Sequence, residues 1–158
     1  MFYRLYQPDD FPQLYALEER CFEPPDRFSR RYLRSLVSRD QAATWIAEEN
    51  ERLTGFAIVV WAQRKSGISA YIQTLEVAPD ARRGGVGREL LLRIEASARA
   101  AGATLIGLHV EAANAAAIHL YETQGYRCEG RRENYYPEGR PALIYTKRMD
   151  CEPEKPGV

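Results

Sequence analysis

Apolar and polar residues alternate over Phe2–Gln7, which predicts a short first strand. Pro8-Asp9-Asp10 then opens a helix running to about Cys21, with Asp9 or Asp10 as its N-cap. Leu14, Leu17 and Cys21 fall on one face of it. The paired prolines in Phe22–Phe28 exclude helix there. Ser29 caps a second helix to about Ser38, with Tyr32, Leu33 and Leu36 inward. Ala42–Glu48 and Leu53–Gln63 read as strands around the turn Glu49–Arg52, and Lys65-Ser66-Gly67 turns the chain into a strand over Ala70–Val77.

Arg82–Gly87 is glycine-rich and leads into a helix to about Ala101 with the stripe Val86, Leu90, Leu91, Ile94 and Ala98. Thr104–Val110 is a strand, and Asn114 caps a helix ending near Gln124. Tyr126–Tyr136 and Ala142–Arg148 form a final strand pair across Pro137–Arg140. The order is β-α-α-β-β-β-α-β-α-β-β, an α/β domain around one sheet over residues 1–149, followed by a polar, proline-containing tail at 150–158.

Composition narrows the function. At 158 residues the chain is one domain with enough length for a core. The 22 basic and 22 acidic residues cancel, which argues against a dedicated nucleic-acid or membrane-surface binder. The longest apolar run, Gly55–Ala62, is far short of the roughly 20 residues a bilayer requires, and the N-terminus lacks the apolar core of a signal peptide. Cys21, Cys128 and Cys151 are too few and too scattered for a disulfide framework or a metal site, so no metal and a reduced, cytoplasmic compartment are expected.

The candidate chemistry begins at Arg82-Arg83-Gly84-Gly85-Val86-Gly87. Glycines between a strand and a helix let the backbone approach a ligand, and free N–H groups at the helix start favour an anion such as a pyrophosphate. Arg82, Arg83 and Arg88 add positive charge. The same residues also read as a solvated basic turn. No GxxxxGK[ST] pattern is present, nor GxGxxG with an acid downstream, so neither a Walker loop nor a dinucleotide site is supported.

Leu75–Gly87, LEVAPDARRGGVG, resembles the cofactor motif of the GNAT superfamily of acyl-CoA N-acyltransferases, whose core Arg/Gln-x-x-Gly-x-Gly/Ala is met by Arg82, Gly85 and Gly87. A second block, Leu108–Tyr126, resembles the family through Asn114, Ala117, Leu120, Tyr121 and Gly125-Tyr126. A third, Glu133–Tyr136, is similar to the subgroup that acetylates protein N-termini. The resemblance covers about Met1–Met149 and implies the GNAT fold: a central mixed, mostly antiparallel, twisted sheet of seven strands, splayed at the fourth and fifth and flanked by four helices.

It further implies an enzyme that transfers acetyl from acetyl-CoA by direct attack of an amine on the thioester. Pantetheine is then expected along Leu75, Glu76 and Val77, with an amide near Val77 for the developing oxyanion. The pyrophosphate is expected on the Arg83–Arg88 backbone, and Arg82, Asn114 and Tyr121 complete the expected cofactor contacts. Tyr121 occupies the position of the family's general-acid tyrosine, with packing on the sheet as its structural alternative. The bacterial ribosomal-alanine enzymes usually carry glutamate where this chain has His109. Leu108-His109-Val110 and Tyr71–Leu75 instead resemble eukaryotic N-terminal acetyltransferases in which histidine and tyrosine hold a catalytic water. The resemblance therefore implies His109 as base with Tyr71 as partner, and Glu76 and Glu111 in reserve. Glu76 equally reads as a solvated acid at a strand end, and His119 as a surface residue.

Phe22, Pro24 and Pro25 lie where the family grips its acceptor, with Tyr135 and Tyr136 expected on the opposite side. Pro25 replaces the tryptophan common in bacterial relatives. The expected acceptor is a protein or peptide N-terminus. The alternatives are a small amine such as a polyamine, amino acid or aminoglycoside, or a non-catalytic acyl-CoA-binding role, against which Tyr121 and His109 argue.

Overall fold

The computed structural model describes residues 1–149. The expected tail at 150–158 lies outside the described residues.

The strands are β1 (Phe2–Leu5), β2 (Ala42–Glu49), β3 (Arg52–Arg64), β4 (Gly67–Val77), β5 (Ala103–Glu111), β6 (Arg127–Arg132) and β7 (Ala142–Arg148). The helices are α1 (Phe11–Cys21), α2 (Arg30–Val37), α3 (Val86–Ala100) and α4 (Ala115–Thr123). The strands form one sheet in the order β1-β2-β3-β4-β5-β7-β6. Only β4 and β5 run parallel; every other neighbouring pair is antiparallel.

Each sheet face packs its own helices. Val86, Leu90, Leu91, Ile94 and Ala98 of α3 are buried with Ala57, Val59, Ile72, Ile106 and Leu108 of the sheet. On the other face, Phe11, Leu14 and Leu17 of α1 and Leu33 and Leu36 of α2 cover Ile46, Phe56, Ile58 and Val60. Fully burying one such aliphatic side chain contributes about 1.5–3 kcal/mol, so the two layers clamp the sheet between them.

The splay follows from one irregularity. The β3–β4 register passes from Ile58↔Thr74 to Val59↔Ile72, so Gln73 is an extra residue on β4. Such a bulge bends its strand. Pairing of β4 with β5 starts at Ile68↔Ala103 and stops at Tyr71↔Gly107, just before the bulge. Beyond that point β4 keeps β3 beside it to Val77, and β5 keeps β7 beside it to Glu111, but the two no longer pair with each other.

Three sequence expectations are corrected at element ends. Strand β1 stops at Leu5 because a 3-10 turn over Pro8–Asp10 intervenes. Asp10 precedes α1 without capping it; its carboxylate takes the Arg4 guanidinium and the Gln7 N–H instead. The sixth strand ends at Arg132 rather than Tyr136, since Asn134 has a positive φ of 54° and a 3-10 turn follows over Pro137–Gly139. Tyr135 and Tyr136 therefore belong to a loop. By contrast, Ser29 and Asn114 accept from Tyr32 N–H and Ala117 N–H, as N-caps should. No described helix is long and apolar enough to cross a membrane.

Candidate active site

The turn before α3 is built by two left-handed residues, Arg83 at φ 75° and Gly85 at φ 79°. Gly85 is the N-cap of α3 and has no side chain to satisfy the first helical amides, and a Cβ added there would meet nothing within 4 Å. The cradle is open, its N–H groups lie at the positive end of a four-turn helix, and an anion fits it. Arg83 and Arg88 are exposed and make no ion pair among the described residues. Arg82 behaves differently: its Nε donates to the Val77 carbonyl at 3.0 Å, tying the turn to the end of β4. The Val86 side chain is in the core, leaving its backbone to face the turn. A Cβ on Gly87 would lie 3.5–3.8 Å from Leu120, Leu75 and Val77, so glycine keeps the space between β4 and α4 clear.

Asn114, expected among the cofactor contacts, has its Oδ1 engaged in capping α4 at 3.1 Å. That cap orients the helix that carries Tyr121. Tyr121 is buried and meets the ring of Tyr126 edge-on at 5.5 Å. Tyr126 is itself fixed by a 2.7 Å bond from its hydroxyl to Glu95, which also receives Lys147. Burial, with Tyr136 adding, pushes the Tyr121 phenol well above its ordinary pKa, so it keeps its proton at neutral pH.

Tyr71 and His109 leave their strands where pairing ends. The Tyr71 hydroxyl lies 2.9 Å from His109 Nδ1. Burial, and secondarily Arg132, holds the imidazole below its ordinary pKa, so it is neutral at pH 7 and can accept a proton. Burial pushes the Tyr71 phenol upward, with Tyr135 and Tyr136 adding. Tyr135 stacks on the His109 ring at 4.5 Å and 6°, and Tyr136 stands edge-on to Tyr135 at 4.9 Å. Burial raises the Tyr136 phenol to about 12. The loop position of these two tyrosines, unforeseen from the strand pattern, is what lets both reach one site.

Each reserve carboxylate has a side-chain partner. Glu111 is 3.0 Å from the Arg140 guanidinium. Glu76 is not a solvated strand-end acid: it is 3% exposed, accepts from the Thr74 hydroxyl at 2.7 Å and faces Glu18. His119 is exposed on α4.

Phe22, Pro24 and Pro25 are exposed on the α1–α2 loop. The loop is anchored by Tyr15 donating to the Phe28 carbonyl and by Phe28 N–H donating to Glu18, both at 2.9 Å. Arg140, in the β6–β7 loop, joins it to the rest of the site. Its guanidinium pairs with Asp26 of the α1–α2 loop and Glu111 of β5, and lies 5.7 Å from the Tyr136 ring centre. Sequence reasoning missed Arg140 and Glu18. Only Glu18 left a signal, as an acid on the apolar face of α1 beside Leu14 and Leu17. Among the described residues no group of three or more His, Cys, Asp and Glu could hold a metal.

The whole arrangement can hold an anion at the turn, lay an extended ligand along the open edge of β4, and present a neutral imidazole beside protonated phenols. The Acetyltransferase (GNAT) family model matches residues 11–126. The chain is 31% identical over 137 residues to the [Ribosomal protein bS18]-alanine N-acetyltransferase of Escherichia coli strain K12, covering 85% of this chain and 88% of that one. The crystal structure of the ribosomal-protein-S18-alanine N-acetyltransferase from Escherichia coli superposes with a TM-score of 0.81 at 26% identity, covering 98% and 97% of the two chains. Arabidopsis thaliana NAA60, solved in complex with acetyl-CoA, gives a TM-score of 0.82 at 21% identity, covering 94% and 98%.

Proposed function

Because this chain belongs to the GNAT acetyltransferase family, we propose that it transfers acetyl from acetyl-CoA to the N-terminal amine of a protein or peptide. The observation that carries the reading is the meeting of Tyr71 and His109 at 2.9 Å, at the point where β4 and β5 part. Acetyl-CoA supplies an activated thioester. The amides of the Arg83–Arg88 segment receive its pyrophosphate, with Arg83 and Arg88 adding charge. Leu75, Glu76 and Val77 offer backbone along the open edge of β4 to the pantetheine amides. An amide near Val77 stabilises charge developing on the thioester oxygen.

An α-amino group has a pKa of about 8, against about 10.4 for lysine, so an N-terminal acceptor is substantially neutral at physiological pH and needs little help. His109, neutral and accepting at Nδ1, draws the Tyr71 proton as the Tyr71 hydroxyl takes one from the amine, directly or through water. Tyr121 gives its proton to the departing thiolate. Tyr135 and Tyr136 lie in the β6–β7 loop, which Arg140 joins to the α1–α2 loop of Phe22, Pro24 and Pro25, and the acceptor chain enters between the two loops. A relative named as an alanine N-acetyltransferase of a ribosomal protein supports a protein acceptor. A reduced, cytoplasmic setting suits that acceptor and the free Cys21 and Cys128.

Mass spectrometry after incubation with acetyl-CoA tests the reading. One acetyl gained at the N-terminus of peptides, with free polyamines and amino acids unmodified, is expected. Acetylation of the small amines alone would replace this acceptor with the small-amine one. Cofactor binding without any transfer would remove the catalytic reading.

A further inference from the structure

Two carboxyls are buried where α1 packs on β4, and the chemistry above uses neither. Glu18 is fully buried and Glu76 is 3% exposed. Hydrogen bonds from the protein account for half of their oxygens. Phe28 N–H donates to Glu18 Oε2, and the Thr74 hydroxyl donates to Glu76 Oε2. Glu18 Oε1 and Glu76 Oε1 are the buried side-chain atoms left without a partner among the described residues. The two carboxyls stand within hydrogen-bonding reach of each other. The other groups at this corner do not neutralise them. Cys21 on α1 directs its thiol toward the Val77 carbonyl, Arg82 is bonded to that same carbonyl, and β3 contributes the apolar Phe56 opposite Glu76.

We propose that Glu18 and Glu76 share one proton between their Oε1 atoms, and that this bond fastens the α1–α2 loop to the end of β4. A single proton gives all four carboxyl oxygens a partner. Two ionised carboxylates in this place would be desolvated and mutually repelling. Burial and the neighbouring Glu18 both favour the protonated form of Glu76. Glu18 holds Phe28 at the end of the loop, and Glu76 stands between Leu75 and Val77. The pair therefore positions the acceptor loop against the donor strand, a consequence that rests on the reading of the site given above. The bond has a definite pH sign. A folded-state pKa above the ordinary glutamate value of about 4.3 contributes stability that is fully present below that value and is lost as pH rises through the raised one.

Glu76→Gln mimics the protonated acid at every pH, since its amide donates to Glu18 while its carbonyl accepts from Thr74. Thermal unfolding of the substrate-free protein between about pH 5 and pH 9 is the test. The wild-type Tm is expected to fall relative to that of Glu76→Gln as pH rises, by about 3 °C or more. Parallel curves would overturn the proposal. If the variant does not fold, carboxyl-carbon NMR of the wild-type protein decides. One glutamate of the pair keeping its proton at pH 7 supports the bond, and both ionised by pH 6 refutes it. No substrate enters either measurement, so their failure would leave the acetyl-transfer reading standing.

Discussion

The turn before α3 holds its shape through its own backbone, whereas the loops that meet at Arg140 hold theirs through side chains far apart in the chain. At the turn, two left-handed residues and the start of a long helix suffice, and one bond from Arg82 ties the result to β4. At the loops, Asp26, Glu111 and Arg140 come from three separate segments. The difference has a physical consequence. A backbone cradle recognises what is constant in a ligand, such as a pyrophosphate. A side-chain bridge can be changed one residue at a time, which suits the partner that varies. On the proposed function, the first region takes the donor and the second the acceptor.

That division can be broken from either side. The largest effect is expected where the two regions join, at Tyr121. Tyr121→Phe removes the proton offered to the leaving thiolate and should lower kcat by about 100-fold or more with acetyl-CoA affinity retained. An unchanged kcat in steady-state assays would take Tyr121 out of the acid role. On the donor side, Gly85→Asp combines a strained left-handed residue with a carboxylate facing the anion cradle. At about 1–2 kcal/mol for the backbone alone, and more for the charge, acetyl-CoA binding by calorimetry should weaken by about 30-fold or more. Equal affinity would contradict the cradle. On the acceptor side, Arg140→Gln frees Asp26 and Glu111 and loosens the loop that stacks Tyr135 on His109. Partly exposed ion pairs are individually weak, so the peptide KM should rise only about three- to ten-fold, with acetyl-CoA affinity unaltered. A matching loss of acetyl-CoA affinity would erase the distinction between the two regions.

The same contrast governs what could be read from the sequence. The stripe from Val86 to Ala98 and the caps Ser29 and Asn114 are local patterns, and each occupies its expected place. The parallel pairing of β4 and β5 and its early end match the architecture implied by the motif resemblance. Spacing could not show that Arg140 reaches Asp26, because nothing local connects positions so far apart. Nor could it show that Glu76 is buried against Glu18: alternation assigns Glu76 a face but not the helix that covers it. The aromatic character of Tyr135 and Tyr136 favours strand, while Asn134 and the turn at Pro137 take the chain out of it.

On the proposed function, the turn before α3 and the open edge of β4 together receive acetyl-CoA. Titrating the wild-type protein with acetyl-CoA while following backbone amide exchange tests it directly. Saturable binding with slowed exchange confined chiefly to Arg83–Arg88 and Leu75–Val77 is expected. Binding that leaves those amides unprotected, or no binding, would contradict it.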